Sequence, residues 1–151
     1  MAFNYIKDTG YSQVWEEDGY IFKRQPKFLA DNECHALTLL VPDGWVPEFE
    51  RVELELIRML KLVNVPLTDP VKFRHRCLLL LDAMKTCGLR HGDLTRPHLF
   101  HTENNWPMLI DWGESRVMHD PRQDKRPGGD RDWMKQTCEE IIKEHMDCYG
   151  R

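Results

Sequence analysis

The sequence has few of the features that mark secreted, membrane-spanning or nucleic-acid-binding proteins. Its five cysteines include no Cys-X-X-Cys pair, and no basic segment followed by an apolar run opens the chain. We therefore expect reduced thiols in a cytoplasmic protein. The longest leucine run, Leu78 to Leu81, is far too short to cross a bilayer. The formal charge of -4 gives no general reason to bind nucleic acid or an anionic membrane.

The length and apolar content indicate one compact unit. The chain has 151 residues, of which 41% are hydrophobic. A chain of this size can form one sizeable core and bury roughly 68–70% of its unfolded surface. No internal repeat or low-complexity segment divides it. We therefore expect a single domain over residues 1–151.

Two acidic residues, Asp93 and Asp111, end short apolar runs in the middle of the chain. Pro97 prevents a helix after Asp93, so we expect its carboxylate on a loop. The stretch 99–110 contains two short apolar runs separated by Glu103–Asn105, whose residues favour tight turns. Such a hairpin would return Asp111 to the side of Asp93. Two carboxylates in one cleft share a proton or hold a cation between them.

Two motifs around these aspartates resemble those of atypical kinases. The run His91 to Leu94, HGDL, looks like the catalytic loop of aminoglycoside phosphotransferase-like and RIO-like kinases, and the run Ile110 to Gly113, IDWG, looks like their metal-binding loop. The interval of 18 residues between the aspartates suits a catalytic loop, a hairpin and a metal loop. The resemblance implies that Asp93 is the base or orienter in a catalytic loop that also contains His91. It implies that Asp111 holds the Mg2+ that bridges the phosphates of ATP.

The fifth residue after Asp93 departs from the usual kinase pattern. Most kinases have an asparagine there that binds a second metal ion, but this chain has His98. Neutral imidazole prefers zinc, copper, iron or nickel, whereas Mg2+ demands oxygen ligands. Lipopolysaccharide core sugar kinases, which this loop also resembles, have a histidine at this position. His98 is therefore a candidate both for catalysis and for metal binding, with Mn2+ as an alternative to Mg2+.

The amino-terminal segment offers candidates for nucleotide binding. Asp18-Gly19 between two β-prone runs predicts a hairpin. In the kinase-like interpretation, Gly10 and Ser12 belong to a reduced loop over the phosphates, and Lys23 at the end of the hairpin contacts the α- and β-phosphates. Glu33 lies ten residues later on a helix predicted from about Phe28 to Leu40 and is placed to pair with Lys23.

The segment 47–62 has a periodicity that fits either strands or a helix. The resemblance favours two strands, the second of which ends near Met59, Leu60 and Lys61. These residues would form the hinge whose backbone contacts the adenine. A helix would leave a shortened sheet.

The rest of the chain predicts two long helices and a basic loop. Asp69-Pro70 is a favourable helix start, and Gly88 is placed to end that helix. The stretch 115–129 is basic and rich in proline and glycine, and it corresponds to an activation segment that could receive an anionic substrate. Asp130 or Asp132 then caps the last helix. In kinases an aspartate at this helix start steadies the catalytic loop, and Asp132 is our candidate.

The resemblance implies a two-lobed minimal protein-kinase-like α+β fold. Residues 1–62 would form a lobe with a small antiparallel sheet and a helix, and residues 63–151 a reduced, mainly helical lobe. The leading function is an ATP-dependent phosphotransferase whose acceptor is a hydroxyl of a protein or a small molecule. A pseudokinase that binds nucleotide or a protein partner is the alternative. A third possibility is a zinc site drawn from the histidines His91, His98, His101 and His119.

Overall fold

The computed structural model describes residues 4–8, 12–113, 115 and 129–149, with the side chains of 4–8 and 147–149 excepted. Gly10 and most of the predicted basic loop lie outside these residues. The described chain has a mixed α+β architecture. None of its helices combines the length and apolar character needed to cross a bilayer. In chain order the elements are β1 (Asn4–Asp8), β2 (Gln13–Glu17), β3 (Tyr20–Arg24), α1 (Lys27–Leu40), β4 (Phe49–Glu53), β5 (Leu56–Leu60), α2 (Pro70–Thr86), β6 (Leu99–Thr102), β7 (Trp106–Leu109) and α3 (Gly129–Tyr149).

The first five strands form one antiparallel sheet in the order β1-β2-β3-β5-β4. The predicted turn between β2 and β3 is confirmed, because Asp18 and Gly19 have φ angles of 53° and 81° as this type of tight turn requires. The two strands predicted in 47–62 are also confirmed. Strand β5 pairs with β3 on one side and β4 on the other. Hydrogen bonding to these two strands favours a strand over a helix in 47–62, where the periodicity allowed both.

Helix α1 lies between β3 and β4 in the chain and buries one face of small and apolar side chains. Ala30, Ala36, Leu37 and Leu40 lie on this face and are almost inaccessible to solvent. Glu33 lies on the same face and is also 0% exposed. A fully buried carboxylate is rare unless it is paired, so the position of Glu33 points to a specific partner.

Helix α2 begins and ends as the sequence predicts. The side chain of Asp69 accepts a hydrogen bond of 3.0 Å from the backbone N–H of Lys72, and Pro70 occupies the first helical turn. After Thr86 the chain turns at Gly88, whose φ is 68°. The buried face of α2 packs against α3 within one hydrophobic cluster that also includes residues of α1 and β5.

Strands β6 and β7 form the predicted second hairpin. Its turn uses two asparagines, Asn104 and Asn105, at φ angles of 61° and 60°. The indole of Trp106 stacks on Trp45, which follows α1, with ring centroids 4.4 Å apart. The backbone N–H of Leu109 donates to the carbonyl of Trp45 at 3.0 Å. These contacts hold the hairpin against the segment that leaves α1.

Candidate functional site

The loop after α2 is held by a carboxylate at the start of α3. One oxygen of Asp130 accepts the backbone N–H of His91 at 2.7 Å, and the other accepts the backbone N–H of Gly92 at 3.2 Å. The prediction that Asp132 has this role is wrong, because Asp132 is exposed on the other side of the first turn. Asp130 therefore connects α3 to the loop that presents Asp93.

The ring of His91 lies between the two loops that contain Asp93 and Asp111. Its ring is fully buried and lies against Trp112, with centroids 4.7 Å apart. Nδ1 accepts the backbone N–H of Asp93 at 3.1 Å, so Nε2 carries the hydrogen and donates to the carbonyl of Ile110 at 2.8 Å. Burial lowers the pKa of His91, against the smaller effect of its bond to Ile110. A neutral imidazole thus connects the two predicted loops, and a catalytic role for His91 stays a prediction.

Asp93, His98 and Asp111 converge on one point. The backbone N–H of Ile110 donates to the carbonyl of His98 at 2.9 Å, which places the end of the second hairpin beside the loop of Asp93. Each of the three side chains offers a ligand atom, and these atoms lie within 4.8 Å of one another. Asp111 has a φ of 66°, a left-handed conformation that aspartate adopts more readily than most residues. The hairpin therefore brings the two aspartates together, as the sequence predicted.

Lys23 lies between two carboxylates. Its Nζ is 2.6 Å from Oδ1 of Asp111 and 3.0 Å from Oε1 of Glu33, so the Lys23–Glu33 pair predicted from the sequence is present. Burial disfavours the ammonium, but the attraction of Glu33 and Asp111 outweighs it and raises the pKa of Lys23. Burial likewise opposes ionisation of Asp111, but its bond to His98 and the charge of Lys23 lower its pKa. Lys23 and Asp111 are therefore both charged at neutral pH.

Glu33 receives two further hydrogen bonds. The side-chain Nε2 of Gln25 donates to Oε1 of Glu33 at 2.8 Å, and the backbone N–H of Trp112 donates to Oε2 at 3.3 Å. These donors offset the cost of burying the carboxylate. Sequence reasoning missed Gln25, because nothing in its local pattern distinguishes it from a polar residue between a strand and a helix.

The ring of His98 faces acceptors on both sides. Nε2 lies 2.9 Å from Oδ2 of Asp111, while Nδ1 lies 2.9 Å from the carbonyl of Asp93 and 3.1 Å from the hydroxyl of Thr95. Burial lowers the pKa of His98, but its contacts with Asp111 and Asp93 more than compensate and raise it. Asp111 therefore contacts a lysine through one oxygen and a histidine through the other.

A cavity of about 150 Å³ opens beside this cluster. Its apolar wall includes Met59, as expected for the predicted adenine site, but Leu60 is 45% exposed at the end of β5. The backbone N–H groups of Leu60 and Lys61 are engaged by the carbonyls of Glu48 and Gly19. Neither N–H group is therefore available to an adenine, and contact of this segment with an adenine stays a prediction. The residues that line the cavity are Val14, Ile21, Lys23, Glu33, Met59, Ile110 and Asp111.

The remaining predictions on the phosphate loop and the zinc site receive less support. Ser12 is buried just before β2 and is not one of the residues lining the cavity. His101 directs Nδ1 to the carbonyl of Val65 at 2.6 Å, and His119 lies outside the described residues. The rings of His91 and His98 lie 5.8 Å apart. In the described part of the chain, however, the metal-ligand group of three residues combines His98 with Asp93 and Asp111 and includes no second histidine.

A larger cavity, of about 510 Å³, lies between the end of α2 and the start of α3. It is bordered by Leu81, Met84, Lys85 and Arg131 among others. Its lining does not include Lys23, Asp93 or Asp111. Charged residues also line the larger cavity, among them Asp82, Asp130 and Arg131. We place the candidate site at the smaller cavity, because the ion pairs that Lys23 makes with Glu33 and Asp111 lie there.

Comparison of the sequence with protein-family models and with curated proteins finds no match.

Proposed function

We propose that the protein is an ATP-dependent phosphotransferase with a minimal two-lobed kinase-like fold. The observation that supports this most is the Lys23–Asp111 contact of 2.6 Å, which joins residues 88 positions apart in the chain, with Glu33 and Asp93 beside it. Phosphoryl transfer depends mainly on positioning and charge neutralisation. A lysine, a metal-binding carboxylate and a base in one cleft are the groups that this chemistry needs.

The donor set fits a divalent cation. Asp93 and Asp111 offer carboxylate oxygens, and His98 offers a ring nitrogen, all within 4.8 Å. A divalent ion held there supplies positive charge to the phosphates. We assign Mg2+ or Mn2+ to this role, with Asp111 as the principal ligand.

The protein groups would divide the reaction between them. Lys23 binds the α- and β-phosphates, and Glu33 keeps its ammonium in place. Asp93 orients the acceptor hydroxyl and takes its proton as the oxygen attacks the γ-phosphorus. The bond from that phosphorus to the bridging oxygen breaks, and ADP leaves. His91 and Asp130 hold the loop of Asp93 in the position that this reaction requires.

A second candidate function is a pseudokinase, and two observations favour it. Both carboxylate oxygens of Asp111 already contact protein cations or donors, from Lys23 at 2.6 Å and His98 at 2.9 Å. The adjoining cavity of about 150 Å³ is smaller than the roughly 300–1,000 Å³ that ligand pockets commonly have. In this case the cleft would bind nucleotide without turnover, or act only as part of a protein-interaction module.

The test compares wild type with Asp93→Asn in ATP binding and in transfer of labelled γ-phosphate, with water, the protein itself and a cell lysate as acceptors. We expect wild type to transfer phosphate in the presence of Mg2+ or Mn2+. Asp93→Asn should bind ATP normally but lose at least about 100-fold in rate, the usual contribution of a general base. Asp43→Asn, a change at an exposed carboxylate, is the matched control.

The outcomes separate the two candidates. Nucleotide binding by wild type with no transfer to any acceptor would favour the pseudokinase. Transfer that Asp93→Asn leaves unchanged would remove Asp93 from the mechanism. Absence of both binding and transfer would contradict the phosphotransferase and the nucleotide-binding pseudokinase, and would leave the protein-interaction module.

A further inference from the structure

The orientation of His98 suits a metal ligand. Its Nδ1 lies 2.9 Å from the carbonyl oxygen of Asp93, which can only accept, so Nδ1 carries a hydrogen. Nε2 lies 2.9 Å from Oδ2 of Asp111, so either a proton or a metal ion lies between these two atoms. Two lone pairs at this distance repel unless a cation or a proton lies between them. Histidines that bind metals usually donate their other ring N–H to a carbonyl or carboxylate, as His98 does.

The distances in the cluster also fit a coordination sphere. Adjacent ligands of an octahedral ion with bonds of about 2.1 Å lie roughly 3.0 Å apart, and opposite ligands roughly 4.2 Å apart. The Nε2–Oδ2 distance of 2.9 Å between His98 and Asp111 matches adjacent ligands. The ligand atom of Asp93 lies within 4.8 Å of both. A small inward movement of Asp93 would complete three ligand positions and leave the others for water or phosphate.

The charge of the site matches a divalent ion. Three carboxylates, Glu33, Asp93 and Asp111, face one ammonium, Lys23. When a metal ion replaces the proton on Nε2 of His98, these groups leave a formal excess of two negative charges. Lys23 contacts Oδ1 of Asp111, while His98 contacts Oδ2. Oδ2 is therefore the oxygen that a metal ion would share with His98.

We infer that Asp93, His98 and Asp111 form a site selective for a divalent first-row transition-metal ion over Mg2+, with His98 as the ligand that determines the preference. Imidazole nitrogen is a good ligand for these ions, whereas Mg2+ prefers oxygen and gives up its water reluctantly. Among transition metals, Mn2+ should bind more weakly than Zn2+. This inference deepens the proposed function, because the ion would be the one that accompanies the nucleotide.

The test measures metal binding directly on the full chain, prepared without a histidine tag. Binding of Mn2+ is followed by loss of the electron paramagnetic resonance signal of the free ion, and Mg2+ or Zn2+ is added as competitor. We expect one Mn2+ per chain, displaced by Mg2+ only at an excess of at least about tenfold and by Zn2+ at lower concentration than Mn2+. No nucleotide or turnover is needed for this measurement.

Variants at histidine positions then test whether His98 causes the preference for a transition-metal ion over Mg2+. His98→Asn replaces the ring with an amide oxygen acceptable to Mg2+, so Mn2+ affinity should fall by about 10- to 100-fold while Mg2+ affinity changes little. His98→Gln is a second variant with a longer reach. His75→Asn, at an exposed position on α2, is the matched control and should bind Mn2+ like wild type. Circular dichroism melting verifies that each variant is folded.

Three results would overturn the inference: displacement of Mn2+ by an equal concentration of Mg2+, an unchanged preference in a folded His98→Asn or His98→Gln variant, or no stoichiometric Mn2+ binding by wild type. If neither variant folds, the wild-type competition decides alone. The metal inference and the proposed function can be refuted independently. A metal preference without phosphate transfer would refute the phosphotransferase and support the metal inference. Phosphate transfer by a site without a metal preference would support the phosphotransferase and refute the metal inference.

Discussion

Removal of the Asp130 carboxylate should loosen the loop that presents Asp93. The two oxygens of Asp130 accept backbone N–H groups of His91 and Gly92 at 2.7 Å and 3.2 Å. A hydrogen bond to a charged group contributes about 1.5–3 kcal/mol, and the longer bond counts for less. Water can reach part of this half-buried carboxylate. We therefore expect Asp130→Ala to lower the free energy of unfolding by about 2–3 kcal/mol, and Asp130→Asn, which keeps one acceptor, by about 1 kcal/mol.

Urea denaturation at pH 7 and 25 °C measures this loss. With a slope of roughly 2 kcal/mol per molar urea, Asp130→Ala should lower the midpoint by about 1–1.5 M. Asp132→Ala is the control, because Asp132 lies in the same first turn of α3 but is exposed. It should cost only about 0.5 kcal/mol through the helix dipole. Amide hydrogen exchange at His91 and Gly92 should accelerate only in the Asp130 variants.

Two results would refute this reasoning. One is an equal loss of stability in Asp130→Ala and Asp132→Ala, which would leave only a general helix-terminus effect. The other is unchanged protection of the His91 and Gly92 amides in Asp130→Ala. Either would mean that the loop is held by its other contacts.

Two further predictions concern buried groups elsewhere. Cys77 and Cys138 are both 2% exposed, and contact with Cys138 and burial raise the pKa of Cys77. A thiol reagent such as DTNB should therefore modify these two cysteines only after unfolding. Rapid reaction of either thiol in the native protein would contradict this packing. Burial lowers the pKa of His101, against its bond to Val65, so protonation of His101 in the unfolded chain should lower the free energy of unfolding as the pH drops below about 6.5. His91 acts in the same direction, and His98, whose pKa is raised, acts in the opposite one. In urea titrations between about pH 5 and pH 7, His101→Gln should therefore lose less stability at low pH than wild type, and an identical pH dependence would exclude His101 as a source.

Features encoded by neighbouring residues could be predicted from the sequence. Asp18-Gly19 fixes its turn because both residues accept positive φ, and Asp69-Pro70 fixes the start of α2 because the cap and the proline act within one turn. The spacing of Asp93 and Asp111 also located the site, since a hairpin of that length returns the chain to its starting point. What each aspartate does in a reaction remains a prediction.

Features that depend on distant contacts could not be predicted in the same way. The periodicity of 47–62 allowed a strand or a helix, and pairing of β5 with β3 decides it. The sequence does not distinguish Asp130 from Asp132 as the residue that holds the loop of Asp93. The packing of α3 against this loop selects Asp130, which accepts its backbone N–H groups. The partners of Gln25 become apparent only when α1 lies against the sheet. In each case the deciding contact joins residues that are far apart in the sequence, and the local sequence pattern around either residue does not indicate its partner.

The buried carboxylate of Glu33 limits how α1 can move. It holds Lys23, Gln25 and the amide of Trp112 at once. A rotation of the helix that removes Glu33 would take this acceptor from Gln25 and from the amide of Trp112, whereas Lys23 would keep Asp111. A regulator acting on α1 would therefore need enough binding energy to offset the loss of these contacts, and Lys23 would then pair with Asp111 alone.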